Sequence, residues 1–253
     1  MASSGGSTGA AKRGRKKAPT RGRGRPATQD KSLLNQKVII SCALDLAKEV
    51  PLQDLSIVRV ARELGVTPAL IHYYLDGRDA LTSGIMSAFY TEMLREWPQP
   101  TGRWREDLEA VCRRAYETYI AFPGVAAYVI GHNRFRLVQT MNPGEIDPGV
   151  MMFERFVGAT RAGGFDAQET TTYAHLLMEF LITMAHSTSR HRWPGEHGLF
   201  LDRVLGGLDP ALFPNAHFVR KNFVRFDAGE AFESALTLFL NALDVERTKS
   251  KRK

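Results

Sequence analysis

From Leu33 onward the apolar residues recur at helical spacing nearly everywhere, with no sustained two-residue alternation and no Asn-Gly hairpin signal. The pattern predicts an all-α protein with a small N-terminal head of three helices and a larger C-terminal helical bundle. Leu34, Val38, Cys42, Leu46 and Val50 fall every four residues on a first helix that Pro51 ends. Two short helices follow. A long helix is expected over 78–97, opened by Asp76, whose carboxylate would cap free amides while Asp79 reaches back to it, and closed by Pro98 and Pro100. Further helices are expected over 104–122, 123–131, 148–162, 167–190 and 228–245. Asn142-Pro143-Gly144, Gly163-Gly164 and Trp193-Pro194-Gly195 punctuate them, whereas 196–226, interrupted by Pro210 and Pro214, stays ambiguous.

The two short helices carry the most specific local signals. Ser56 can cap a helix over 57–64 whose inward face is Ile57, Val60, Ala61 and Leu64. Gly65 then stands where a chain leaving a helix commonly turns left-handed, Val66 is apolar enough to plug the turn, and Thr67 can cap the next helix with Pro68 in its first turn. Neither helix is long enough to be stable alone, and so tight a turn makes them cross steeply, holding the second proud of the surface. Leu70, Ile71 and Leu75 would face inward. Thr67, Pro68, Ala69, His72, Tyr73 and Tyr74 are left at the N-terminal end or outside. A helix so presented can enter the DNA major groove, where threonine and alanine methyls and the proline ring meet thymine methyls and the polar groups reach bases or phosphates. This reading requires Pro68 and Tyr73 to be open to solvent.

Charge sharpens the picture. The 253-residue chain carries +7 overall, with 43% hydrophobic and 24% charged residues, as in a folded globular protein. Residues 1–31 hold nine basic residues and one acidic (+8), 247–253 hold five basic and none acidic, and 32–246 hold 20 basic against 26 acidic (−6). All the excess positive charge therefore lies in the two tails, the asymmetry of a chain that meets a polyanion. The N-terminal tail has no large apolar residue before Leu33, so it cannot pack a core. Its Arg-Gly-Arg-Pro at 23–26 is similar to an AT-hook core, in which Arg23 and Arg25 would enter a narrow minor groove. The head itself, residues 32–98, has six basic and eight acidic residues. The arm is therefore expected to supply the salt-dependent attraction and the helices the base readout.

Taken in order, Ala43 to Ala47, Ser56, Val60-Ala61-Arg62-Glu63-Leu64-Gly65-Val66-Thr67-Pro68 and Arg78-Asp79-Ala80-Leu81 resemble the tetracycline-repressor (TetR) family of transcription regulators over about residues 33–85. Beyond that only the layout is similar, Trp104-Arg105-Glu106-Asp107-Leu108 opening the fifth helix as in many relatives. The chain departs from the family at His72, where a phosphate-contacting tyrosine is usual, at Leu75 in place of phenylalanine and at Pro51 where glycine is frequent. Tyr74 falls on the second aromatic phosphate contact. The resemblance implies a basic arm (1–31), a helix-turn-helix DNA-binding domain (32–78), a ligand-binding and dimerisation domain (79–246) and a basic tail (247–253). Its DNA contacts are expected at Ser56, Arg59, Thr67, Pro68, Ala69, His72, Tyr73, Tyr74 and Arg78, with Arg23 and Arg25 from the arm.

In such a regulator the C-terminal half forms a homodimer and encloses a small-molecule effector, whose occupancy changes the spacing of the two reading helices on double-stranded operator DNA. The long helix 78–97 would be the lever. Apolar residues on the two longest C-terminal helices, Tyr173, Leu176, Leu177, Phe180, Leu181 and Met184 against Phe232, Leu236, Leu238, Phe239 and Leu243, exceed what one bundle face needs and suggest the dimer contact, with own-core packing as the alternative. Effector contacts are expected among Tyr119, Tyr128, His132, Met152, Phe156, His175, Met178, Glu179, Ile182 and His186. His175, Glu179 and His186 lie near one helical face, but only 175 and 179 are one turn apart, and no metal or other cofactor is assigned. Cys42 and Cys112 are too few for a disulfide framework, and the longest apolar run, 176–185, contains Glu179 and is too short to span a bilayer, so a cytoplasmic protein is expected. Two competing readings are an architectural DNA-binding protein that relies on the arm, and a helical enzyme. No nucleophile elbow, P-loop, Gly-x-Gly-x-x-Gly or His-Glu-x-x-His is present to nominate a catalytic centre.

Overall fold

The structure, a computed structural model, describes residues 34–132, 139, 141 and 144–250. Among these there is no strand, and eleven α-helices follow one another: α1 (Gln36–Leu46), α2 (Ile57–Glu63), α3 (Pro68–Tyr74), α4 (Gly77–Arg95), α5 (Trp104–Ala121), α6 (Pro123–Gly131), α7 (Pro148–Arg161), α8 (Ala167–Ser189), α9 (Gly198–Gly206), α10 (Pro214–Phe223) and α11 (Ala228–Ser250). The Arg-Gly arm lies outside the described residues.

In the head, Asn35 caps α1 by accepting the Val38 amide at 3.0 Å. The buried face of α1 is Ile39, Ile40, Ala43 and Leu46, while Val38 is exposed and Cys42 only half-buried. Of the every-fourth-residue stripe only Leu46 is fully buried, and Leu34, Cys42 and Val50 pack at the rim of the core. Each step of four overshoots a turn by about 40°, so such a stripe winds off the helix side that i, i+3, i+4 spacing follows. The helix also ends at Leu46, ahead of Pro51.

α4 packs against α1 and α2 at one end and against α5 and α7 further along. It is one continuous helix of 19 residues, about 28 Å long. A boundary at residue 78 therefore cuts through an element that belongs to both halves. The expected Asp76 cap does not form: Asp76 has φ −79° and ψ 72° and makes no side-chain cap bond. An extended backbone is what lets a cap side chain reach round to the first turn. A full capping box occurs instead at α8, where Asp166 accepts the Glu169 amide at 2.8 Å and Glu169 accepts the Asp166 amide at 3.2 Å.

The bundle core is aromatic-rich. Phe89 lies against Tyr119 with centroids 5.0 Å apart and meets Phe122 edge-on at 5.8 Å, and Tyr116 stacks on Phe232 at 3.8 Å. α11 continues to Ser250, past the expected end at 245. Arg247 there donates to the Gly163 carbonyl at 3.0 Å and lies over the Trp104 ring, and Lys249 pairs with Glu246. Arg247 is thus tied to the body, while Lys249 pairs within α11 itself. The ambiguous stretch resolves into a 3-10 turn (Pro194–His197) with α9 and α10, a hairpin inserted between α8 and α11. Neither α9 nor α10 has a buried residue, and Leu199 and Phe218 are 91% and 85% exposed.

Candidate nucleic-acid interface and effector region

Ser56 accepts the Arg59 amide at 3.2 Å and starts α2. Gly65 ends it at φ +65°. Its amide donates to the Arg62 carbonyl at 3.2 Å and the Val66 amide to the Ala61 carbonyl at 2.9 Å, the paired bonds of a Schellman turn, with Val66 packed on the core. α3 leaves this turn with Pro68 at its first position. Thr67 occupies the cap position, but its side chain makes no cap bond, because the Leu70 amide bonds instead to the Thr67 carbonyl at 3.0 Å. The hydroxyl is left for the outside.

Ile71 and Leu75 anchor α3 at 0% and 2% exposure, whereas Thr67, Pro68, Ala69 and His72 are exposed and Tyr73 is 81% exposed. Tyr74 is half-buried on the core and meets Tyr73 edge-on at 5.2 Å. A rigid inner edge thus carries a polar and methyl-bearing outer one. Arg59 is half-buried on α2. Arg78 donates to the Gln53 carbonyl, tying the start of α4 to the loop before α2. Exposed Arg62 on α2, part of the motif but not among the expected contacts, faces solvent beside this edge.

The ten expected effector contacts differ in burial. Tyr119, Tyr128, Met152, Phe156 and Ile182 are buried in the core, and Tyr90 and Tyr119 share a hydrogen bond in a setting whose burial pushes both hydroxyl pKa values up. His132, Met178 and His186 are half-buried, with His132 stacked on Tyr128 at 4.5 Å. His175 and Glu179 are exposed, on the same side of α8 as Leu176. Glu179 nevertheless lies close enough to the buried Tyr119 for its charge to add to the rise in that hydroxyl's pKa. His186 keeps a buried Nδ1 without a hydrogen-bond partner, and desolvation, followed by Arg190 and Arg192, lowers its pKa. Among the described residues no group of three His, Cys, Asp or Glu side chains could hold a metal ion.

A cleft of about 360 Å³ opens elsewhere, beside the C-terminal end of α4. The Trp97–Pro100 connection forms one wall, Asp107 and Val111 of α5 a second, and Arg155, Gly158, Ala159 and Ala162 of α7 the third. Sequence reasoning missed it: small residues on a helix carry no signal until the neighbouring helix is in place.

Residues 98–246 match the family model described as tetracyclin repressor-like, C-terminal domain. The chain belongs to the tetracycline-repressor family. Among solved structures, apo ActR from Streptomyces coelicolor is 25% identical, with a TM-score of 0.70 over 86% of this chain and 98% of that one. The same organism's ActR in complex with actinorhodin is 26% identical (TM-score 0.68, covering 84% and 96%), and its complex with (S)-DNPA is 25% identical (0.68, 84% and 98%). No curated protein matches the chain. The likeness to ActR takes in most of this TetR-family chain, whereas the family model itself begins after α4.

Proposed function

We propose that this TetR-family protein is a ligand-responsive transcriptional repressor, cytoplasmic, that binds a palindromic operator as a homodimer and is released by a small-molecule effector. The observation that carries this is the exposed edge of α3: Thr67, Pro68, Ala69, His72 and Tyr73 stand clear of the core on a helix whose inner side is locked by Ile71 and Leu75. Arg23 and Arg25 of the arm enter the flanking minor groove and offset the acidic head. Ser56, Arg59, Tyr74 and Arg78 border the reading helix and serve the phosphates.

The dimer forms through the outer sides of α8 and α11. Leu177, Leu181, Phe232, Leu236 and Leu243 are consumed by the protein's own core, but Leu176 and Leu238 remain 50% and 69% exposed, and the apolar hairpin of α9 and α10 rises from the same two helices. Two heads engage half-sites about 34–36 Å apart only when the dimer holds that spacing. An effector that binds the mis-spaced state about tenfold better weakens the operator complex by about 1.4 kcal/mol. That ActR has been captured with actinorhodin and with (S)-DNPA supports an effector role for the helical half here.

Selection from random duplexes with the full-length protein tests the proposal. A palindromic consensus with half-sites one turn apart is expected. A bare A/T preference would favour the architectural reading, and no enrichment would reject DNA recognition.

A further inference from the structure

The cleft at the end of α4 has a composition that specifies a ligand. Its walls are largely apolar: Trp97, Pro98, Pro100, Val111, Ala159 and Ala162. One cation, Arg155, stands at its edge, exposed and without an ion pair or hydrogen bond to any described residue. The carboxylate of Asp107 is already engaged, accepting from the Thr101 amide at 2.9 Å, the Thr101 hydroxyl at 2.7 Å and the Gly102 amide at 3.0 Å. It makes no ion pair with Arg155, whose guanidinium is left open to a ligand, and its negative charge on the opposite wall limits the anionic charge that the cleft accepts. At Gly158 a Cβ would meet nothing within 4 Å, so the cleft is open beside the backbone of α7.

We propose that this cleft binds compact aromatic monocarboxylates, the ring lying among the proline, tryptophan and alanine surfaces and the carboxylate pairing with the Arg155 guanidinium. Pockets that hold small molecules are largely apolar with a few placed polar groups, and a planar guanidinium matches a carboxylate in two-point contact. A volume of about 360 Å³ suits one or two fused rings. The proposal deepens the regulator reading and rests on it for its consequence. Arg114 grips the last turn of α4 by donating to the Met93 carbonyl at 3.1 Å and to the Glu92 carbonyl. Trp97 follows directly, its amide bonded to the Leu94 carbonyl at 3.2 Å. A ring inserted between Trp97 and α7 therefore shifts the far end of the helix whose near end packs against the reading head.

The test is calorimetric titration of the full chain with benzoate, 2-naphthoate and indole-3-acetate, each against its neutral carboxamide. At least one carboxylate should bind saturably at one per chain, at least tenfold tighter than its amide. Arg155→Gln should abolish that tenfold preference. Gly158→Leu should abolish binding of both forms without lowering the melting temperature, since it fills the cleft and replaces a helical glycine. Saturating carboxylate should weaken operator binding about tenfold in wild type, require about tenfold more ligand to do so in Arg155→Gln, and have no effect in Gly158→Leu. No saturable binding by any of the three acids, equal binding of acid and amide, or unimpaired binding to Gly158→Leu overturns the proposal. Tight binding with no effect on the operator overturns its regulatory half. A chain that binds the acids but no DNA leaves the cleft standing and removes the regulator reading instead.

Discussion

The Gly124 amide donates a 2.9 Å hydrogen bond to the Ala47 carbonyl. This bond joins the first turn of α6, in the effector half, to the end of α1, in the head. The two backbones are so close that a Cβ on Gly124 would stand 2.0 Å from the Val50 carbonyl oxygen and 2.6 Å from that of Ala47. The negative end of one helix dipole faces the positive end of another, with the Pro123 ring ahead of the contact removing a competing donor. The two halves are thus coupled through backbone as well as through α4.

Gly124→Ala should therefore force α6 away from α1. The neighbours are main-chain atoms and cannot rotate aside, so a stability loss of about 1–3 kcal/mol is expected, in the range of overpacked sites. Denaturant unfolding measures it. A change of under about 0.5 kcal/mol, the range of ordinary surface substitutions, would mean that the contact is slack. Operator affinity should change as well, because the set of the head on the body is altered.

On α3, two residues should separate folding from reading. Tyr73→Ala removes a ring that is 81% exposed and should leave stability within about 0.5 kcal/mol, yet lower operator affinity roughly tenfold, the worth of one base or phosphate contact. Ile71→Ala, at a site with 0% exposure, should cost about 2–5 kcal/mol of stability. If Tyr73→Ala bound the operator as wild type does, the outward face of α3 would not be the reading surface.

Much of this head was legible in sequence because its signals are local. Ser56, Gly65 and Pro68 each dictate the backbone within a few residues of themselves, and the structure places the turn and both helices where those residues require. Asp76 failed as a cap although the residue type was right, since capping depends on the backbone angles of its own position. Effector contacts are less legible in the sequence for a different reason. Tyr119 and Phe156 are apolar enough for a pocket or a core, and only the packing of several helices decides which. The stretch 196–226 stayed ambiguous because Pro210 and Pro214 interrupt its short helical patterns, and in the structure Pro214 opens α10 instead of breaking a helix.

Removing residues 1–30 takes away eight of the nine basic residues of the arm and its one acidic residue. Operator affinity should fall on every sequence, and the slope of log K against log salt should flatten by about 0.9 for each phosphate that the arm had neutralised. The measurement is a salt titration of both proteins on the selected operator and on a scrambled duplex. An unchanged slope would place the phosphate contacts elsewhere, on Arg59 and Arg62.

Alkaline pH should loosen the bundle. Burial pushes the Cys112 thiol from 9.0 up to about 12, and desolvation also raises Tyr119 well above its ordinary value. A raised acid pKa means that the folded state holds its proton where the unfolded chain has released it. The stabilisation is complete below pH 9 and is lost as pH rises from there toward the folded value. Unfolding free energy should accordingly decline above pH 9, and less steeply in Cys112→Ala, whose packing loss is the same at every pH. Parallel curves for the two proteins would show that the thiol contributes nothing to the alkaline limb.

The outward sides of α8 and α11 make the last prediction. Leu176 and Leu238 are 50% and 69% exposed, so replacing both with aspartate disturbs little of the packing within the chain. If they meet a second copy, the two buried, unpaired carboxylates at each symmetric contact would be costly enough to dissociate it. Sedimentation should then report a monomer in place of a dimer, with helicity unchanged. Operator affinity should fall far more than in Tyr73→Ala, because each monomer binds a single half-site and the gain from tethering the second is gone. A double variant that remained dimeric would move the interface to the α9–α10 hairpin, where Leu199 and Phe218 are exposed at 91% and 85%.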